Sequence, residues 1–294
     1  MPAVFRGGVP ITWHEVGPTG GRPVLVIHGF GSNSKQNWLD TGWEAPLADA
    51  GIRAVLMDLR GHGDSGRPVG PQHYALRTLV GDLVAVLDAS DLDSVGVLGY
   101  SFGSRLGWEL ALAHPERVDR LVLGGFSRSD PLESFDRAAA HAHLEDGTEI
   151  DDTRTAALMG IAELVPGNDV PRLLDLVTAL QSARPADGPG HPPDVPICFV
   201  TGERDELGDG VPELAVEIGA EFVPIKARTH VNAVSARGFK RAAVARLGQC
   251  ASRIVDSRTV PGWPANTRLG AEPPSNPRVT CCTPCPTAIA EDDV

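Results

Sequence analysis

The chain has 294 residues, 42% hydrophobic and 22% charged, an ordinary globular balance with room for one large α/β domain or two small ones. A net charge of −12, with no basic cluster to offset it, argues against a nucleic-acid partner and against docking on an anionic membrane. No apolar run approaches the roughly 20 residues that span a bilayer. The opening Met1–Arg6 has neither the charged nor the apolar region of a signal peptide, so a cytoplasmic protein is expected.

From the N-terminus, Ile11–Val16 and Val24–His28 read as strands, followed by a helix near Trp38–Ala50. Arg53–Asp58 reads as a strand, Leu76–Ala89 as a helix, Ser94–Tyr100 as a strand and Phe102–His114 as a helix. Arg120–Gly124 is the next strand. After an interruption come strand Ile197–Thr201, helix Val211–Ile218, strand Glu221–Ile225 and helix Val231–Leu247. Several strands are continuous apolar runs, Val24-Leu25-Val26-Ile27 the clearest, which suits a parallel sheet buried on both faces. Alternating strands and helices then predict a doubly wound sheet, with functional residues on loops at the carboxyl ends of its strands.

The interruption, about Ser127 to Asp194, is helical and polar and closes with the Pro/Gly-rich run from Arg184 to Pro193. It is expected to be a small helical insertion covering the carboxyl edge of the sheet. The domain reading is a core of residues 1–126 and 195–250, a helical cap of 127–194, and a tail of 251–294 without apolar periodicity, expected to be disordered or irregular. Four of the five cysteines, Cys250, Cys281, Cys282 and Cys285, fall at or beyond the last predicted helix. The single C-x-x-C spacing lacks the second pair that a zinc ribbon needs, so no metal is expected. Cys198, inside a predicted core strand, reads as a small apolar residue.

Gly99-Tyr100-Ser101-Phe102-Gly103 carries the most chemical information. The motif is common by chance, but here an apolar strand precedes it and a helix follows, so Ser101 stands at a strand–turn–helix apex, the context of a nucleophile elbow. The flanking Gly99 and Gly103 are expected where strand and helix pass too closely for larger side chains.

With three further signals the chain resembles the α/β-hydrolase fold family over about residues 10 to 248. Val24–Gly31 is similar to the family's strand-loop ending in His-Gly, and Asp58–Pro68 to its loop after the next strand. Asp205 and His230 then follow in the family's order of nucleophile, acid and base. The resemblance implies an α/β-hydrolase fold, a mostly parallel doubly wound sheet with a small helical cap, and a catalytic triad of Ser101, Asp205 and His230. It implies an oxyanion hole of the Phe30 and Phe102 backbone N–H groups, and no metal or organic cofactor.

Glu203, Asp209 and Asp130, the last standing after the preceding strand, are alternatives for the acid. His28 and His62 are expected to bond backbone rather than do chemistry. Trp38, Trp43 and Trp108 read as core or pocket wall, and Tyr100 and Phe102 as flanks that could touch an acyl group. Epoxide hydrolases and haloalkane dehalogenases share the Asp58–Pro68 pattern but carry aspartate at the elbow, so the serine points elsewhere. The expected function is hydrolysis of a small carboxylic ester, lactone or thioester through an acyl-enzyme. A carbon–carbon bond hydrolase or cofactor-free perhydrolase with the same triad, and a non-catalytic hydrolase-fold receptor, are the alternatives.

Overall fold

The computed structural model describes residues 1–182 and 192–248. Most of the Pro/Gly-rich run, the tail 251–294 and all cysteines but Cys198 therefore lie outside the described residues.

The strands are β1 (Ala3–Arg6), β2 (Val9–Val16), β3 (Arg22–Ile27), β4 (Ile52–Met57), β5 (Val95–Tyr100), β6 (Val118–Gly124), β7 (Ile197–Gly202) and β8 (Glu221–Ile225). They form one sheet in the order β1-β2-β4-β3-β5-β6-β7-β8. β1 and β2 pair antiparallel, and β2 joins β4 antiparallel. From β4 to β8 every pairing is parallel. β3 shows why its sequence reads as an unbroken apolar run. Val24 and Val26 pack into one buried layer, with Trp38, Trp43, Leu47 and Phe239, while Leu25 and Ile27 pack into the other, with Leu83, Leu106 and Leu110. Each fully buried side chain of this size stabilises the fold by about 1.5–3 kcal/mol, before the entropy of ordering it is subtracted.

The helices are α1 (Glu44–Asp49), α2 (Leu76–Ala89), α3 (Phe102–Ala113), α4 (Arg137–Asp146), α5 (Thr153–Leu164), α6 (Val170–Ser182), α7 (Val211–Ile218), α8 (His230–Ala233) and α9 (Arg237–Leu247). Two long helices of the sequence reading are each broken. Trp38–Ala50 is a π-helical turn (Lys35–Leu39) and then α1, because Gly42 between them takes φ +76°, a left-handed conformation that no helix continues through. Val231–Leu247 is α8 and α9, separated where Ala236 adopts an extended ψ of 137°. Both breaks serve the same packing. Trp43 stands edge-on to Trp38 and to Phe239, with ring centroids 5.3 and 5.4 Å away, and donates its indole N–H to the Val234 carbonyl at 3.0 Å. β1 is an addition to the sequence reading, a short edge strand hairpinned onto β2.

α4, α5 and α6 all lie between β6 and β7 in the chain. α4 and α5 begin with aspartate caps: Asp136 accepts from the Ala139 N–H and Asp152 from the Thr155 N–H. The segment is tied to the loops after β3 and β4. Asn168 donates to the Gly31 carbonyl, and the Gly70 N–H donates to Asp175 at 2.9 Å. Among the described residues no helix is long and apolar enough to cross a membrane.

Candidate active site

Ser101 is held at the carboxyl end of β5 with φ +52° and ψ −118°, one of three non-glycine residues with positive φ among those described. Such a conformation costs on the order of 1–3 kcal/mol and persists only where the surroundings enforce it. Here the Ser101 N–H donates to the Gly124 carbonyl at 2.7 Å and the Ser101 carbonyl accepts from the Ser104 N–H at 2.9 Å. A Cβ at Gly99 would lie 2.6 Å from the Ser104 backbone, and one at Gly103 would lie 2.2 Å from the Ile27 carbonyl oxygen. The two glycines flanking the serine are therefore where the expected steric job is needed, and only a bare Cα fits at either.

His230 opens α8, just after β8, and is buried. Its Nδ1 lies 2.8 Å from Oδ1 and 3.0 Å from Oδ2 of Asp205, whose side chain is fully buried. Asp205 is itself fixed from behind, its Oδ1 accepting from the Leu207 and Gly208 N–H groups at 3.0 and 2.9 Å. A carboxylate on Nδ1 selects the tautomer with its proton there, which leaves Nε2 as the basic nitrogen. Of the four carboxylates weighed as the acid, Asp205 is the one against the ring. Glu203 is exposed and accepts from the Ala227 N–H, and Asp130 accepts from the Leu132 N–H. Asp209 is exposed and its backbone serves Ser127 and Arg128.

The loop after β3 passes directly over the serine, so that a Cβ on Gly29 would lie 3.3 Å from the Ser101 Cβ. The N–H groups around the two proposed oxyanion donors are spent. Gly29 donates to Asn37 Oδ1 at 3.0 Å, Gly31 to His62 Nε2 at 3.1 Å, and Ser101 to Gly124 as above. Between them, the N–H groups of Phe30 and Phe102 have no acceptor among the described residues. Phe102 also begins α3, whose N-terminal dipole favours an anion.

Two buried histidines build the support for this loop. His28 bonds the Gly29 carbonyl through Nδ1 and accepts the Leu59 N–H on Nε2 at 3.0 Å. His62 sits 5.1 Å from it, bonds the Arg60 carbonyl, and accepts the Gly31 N–H. Burial holds both imidazoles neutral, that of His62 lowered to about 3, and only a neutral ring can be the acceptor these bonds require. Asp58 completes the loop by accepting from the Ser34 and Asp64 N–H groups. Both rings thus do the backbone bonding expected of them. Trp108 is core, its ring 5.4 Å from Phe126 and 6.4 Å from Phe199.

One contributor escaped the sequence reading. The Tyr100 phenol donates to the His230 carbonyl at 2.5 Å, with its ring 5.5 Å from the imidazole, and burial in this site raises the phenol's pKa far above its usual value. Only Tyr100's place beside Ser101 hinted at a role, since its partner atom is main chain.

Ser101 opens on two cavities. A narrow one of about 20 Å³ is lined by Phe30, Phe102, Arg105, Phe126, Asp130 and Leu132, among others. A wide one of about 240 Å³ includes His230, Val231, Val234, Leu158, Ile161 and Leu164 in its wall. Among the described residues no group of three or more His, Cys, Asp or Glu side chains is disposed to hold a metal ion.

A strained serine at a strand–helix elbow and a His–Asp pair after the last strands of a mostly parallel sheet define the α/β-hydrolase class of architecture. Residues 22–160 match the family described as alpha/beta hydrolase fold, and the described residues have that fold. The chain is 37% identical over 122 residues to the 2-hydroxy-6-oxo-2,4-heptadienoate hydrolase of Pseudomonas putida, covering 42% of this chain and 43% of that protein. It is 36% identical over 116 residues to a putative 2-succinyl-6-hydroxy-2,4-cyclohexadiene-1-carboxylate synthase of Bacillus subtilis, covering 40% of each. The chain therefore spans less than half the length of these curated relatives. A carboxylesterase structure from Nitrososphaera gargenis superposes with a TM-score of 0.67 at 17% identity, covering 84% of this chain and 97% of that one, a likeness of fold.

Proposed function

We propose that the protein is a serine hydrolase that cleaves a small carboxylic ester, or a related lactone or thioester, through an acyl-enzyme. The observation that carries this reading is the buried Asp205–His230 pair whose imidazole lines the same cavity as Ser101. His230 Nε2 takes the proton of the Ser101 hydroxyl as the oxygen attacks the carbonyl carbon, and Asp205 stabilises the imidazolium that forms. The unspent N–H groups of Phe30 and Phe102 stabilise the oxyanion, each such donor worth roughly 3 kcal/mol in the transition state. Collapse expels the alcohol, which takes the proton back from Nε2, and water then releases the acid by the same steps. The reading needs no cofactor. It places the enzyme in the cytoplasm, acting on a small molecule without nucleic-acid or membrane partner, as a net charge of −12 favours.

A second reading, hydrolysis of a carbon–carbon bond beside a ketone by the same residues, is favoured by the Pseudomonas relative, which is named for an oxo-dienoate rather than an ester. The experiment that tests the activated serine is labelling with a fluorophosphonate, which requires an oxyanion hole but no knowledge of the substrate. The expected adduct is on Ser101 and is absent from His230→Ala. Folded protein that takes no label would sink the serine-hydrolase reading.

A further inference from the structure

The stretch of chain that carries the Phe30 N–H is held on both flanks by side chains. Before it, the Gly29 N–H donates to Asn37 Oδ1 at 3.0 Å; after it, the Gly31 N–H donates to His62 Nε2 at 3.1 Å. A further hold is on the Gly31 carbonyl, which accepts from the Asn168 amide at 2.6 Å. Asn37 and His62 belong to the loops after β3 and β4, whereas Asn168 stands between α5 and α6, 137 residues beyond Gly31 in the chain.

Local sequence delivers Asn168 to this place. Val165-Pro166-Gly167-Asn168 follows α5 directly, and the Asn168 N–H closes the turn on the Val165 carbonyl at 3.2 Å. Proline presets φ at the second position and Gly167, at φ +85°, supplies the positive φ of the third, the pattern of a type II turn. The turn folds Asn168 back over the end of α5, where the last carbonyls have no partner within the helix. One amide proton goes to the Ala162 carbonyl at 2.8 Å and the other to Gly31. A single NH₂ group thus bridges two carbonyls, which a hydroxyl with its one proton cannot do. The loop and the helix also touch, since a Cβ on Gly31 would lie 2.8 Å from the Ala162 Cα.

Capping α5 needs only the Ala162 bond. The bond to Gly31 does something different, because glycine is the freest residue of the backbone and holding its N–H and its carbonyl together fixes both of its dihedrals. We propose that Asn168 is a positioning residue for the oxyanion hole, locking Gly31 so that the Phe30 N–H keeps its aim at the carbonyl oxygen. The α4–α6 segment then acts in the chemical step as well as walling the cavity. This rests on the serine-hydrolase reading and adds a residue to its machinery. Asn168 is not among the residues lining either cavity at Ser101, so it acts through Gly31 and not by touching substrate.

The test measures kcat and KM for phenyl acetate and for its thionoester, in which sulfur replaces the carbonyl oxygen, together with the rate of fluorophosphonate labelling. Sulfur is larger and a weaker acceptor, so the oxygen-to-sulfur ratio reads the hole itself. In Asn168→Ala, kcat for phenyl acetate is expected to fall about tenfold with KM within about twofold, part of the 10²–10³-fold that deleting a donor costs. Because that loss falls on the oxygen ester, the oxygen-to-sulfur ratio should drop at least about fivefold, and labelling should slow about tenfold. Asn168→Asp, which keeps the shape and puts oxygens where the donors stood, should do the same. Asp175→Ala, which unties the same segment from the Gly70 N–H, is the control and should lower the melting temperature without moving the ratio or the labelling rate. Unchanged kcat, losses shared equally by the two esters, or losses matched in Asp175→Ala would make the clamp purely structural, overturning the proposal and leaving the serine-hydrolase reading standing. A wild-type chain that takes no label and turns over neither ester overturns both. Labelling rates need no turnover, so they decide the point if phenyl acetate is a poor substrate, and Asn168→Asp decides it if the alanine variant fails to fold.

Discussion

The phenol of Tyr100 and the main-chain carbonyl of His230, 130 residues apart in the chain, are joined by a 2.5 Å hydrogen bond. The residue next to the proposed nucleophile thereby holds the backbone of the proposed base. Tyr100→Phe keeps the ring and removes the hydroxyl that bonds the His230 carbonyl and the Val234 main chain, at a cost of about 1–3 kcal/mol. At about 2–4 °C per kcal/mol for a domain of this size, the melting temperature should drop by roughly 5 °C. Because the base is positioned less firmly, kcat should fall about tenfold with KM nearly unchanged, measured on any ester the enzyme turns over. Unchanged kcat would make the bond purely structural.

Asp205 and Glu203 sit two residues apart, yet only Asp205 reaches the imidazole. Asp205→Asn should cost roughly 10⁴-fold in kcat, since an amide presenting its N–H favours the wrong imidazole tautomer. Glu203→Gln should stay within about twofold of wild type. Equal losses in the two variants would reassign the acid.

The buried His62 ring resists protonation down to about pH 3, whereas in the unfolded chain it titrates near its ordinary 6.5. Below that value the unfolded state binds a proton that the folded state refuses, so this contribution to stability is complete above about pH 6.5 and is lost as the pH falls. The loss runs at about 1.4 kcal/mol per pH unit for each such histidine, and His28 is shifted in the same direction. Urea midpoints should be level from pH 7 to 8 and decline from pH 6.5 to 5. In His62→Gln, where an amide oxygen can still accept the Gly31 N–H, the decline should be visibly shallower. An identical slope would show that the ring is protonated in the folded protein.

Behind the same loop, Arg60 grips Asp82 with two 2.8 Å hydrogen bonds, both side chains are almost fully buried, and Arg6 adds a 3.3 Å contact. Burial raises the Asp82 pKa despite the guanidinium, so the carboxylate relies on its partner. Arg60→Met should cost about 3–5 kcal/mol in urea denaturation, and Arg60→Met with Asp82→Leu should recover most of it, because removing both charges also removes the desolvation penalty. A double variant no more stable than the single one would show that the pair, rather than the burden of an orphaned charge, supports the loop.

The parts of this molecule that depend on local pattern were readable in the sequence. Val24–Ile27 declares a strand buried on both faces. Ser101 declares its elbow, because the glycines that strand and helix sterically require stand on either side of it. Features set by distant partners were hidden. β1 is four residues whose only reason to be a strand is the antiparallel register Val4↔Ile11 across a hairpin. The break before α9 lets Trp43 meet Phe239, which no window of sequence around either residue encodes. Tyr100 bonds a carbonyl, and every residue has one. The unequal cavities depend on where α5 lies above the loops, a tertiary matter that composition does not touch.

The loop after β3 supplies Phe30, β5 delivers Ser101, the turn after β7 Asp205, and the loop after β8 His230. All four therefore meet only when the five adjacent parallel strands β3, β5, β6, β7 and β8 are in register. On the proposed assignment of these groups, a contiguous fragment short of the Phe30–His230 span should be inactive, and a nick or circular permutation should be tolerated only where it spares the ladder. Catalytic competence in this fold is a readout of completed assembly, so residual activity during unfolding counts intact molecules rather than partly folded ones.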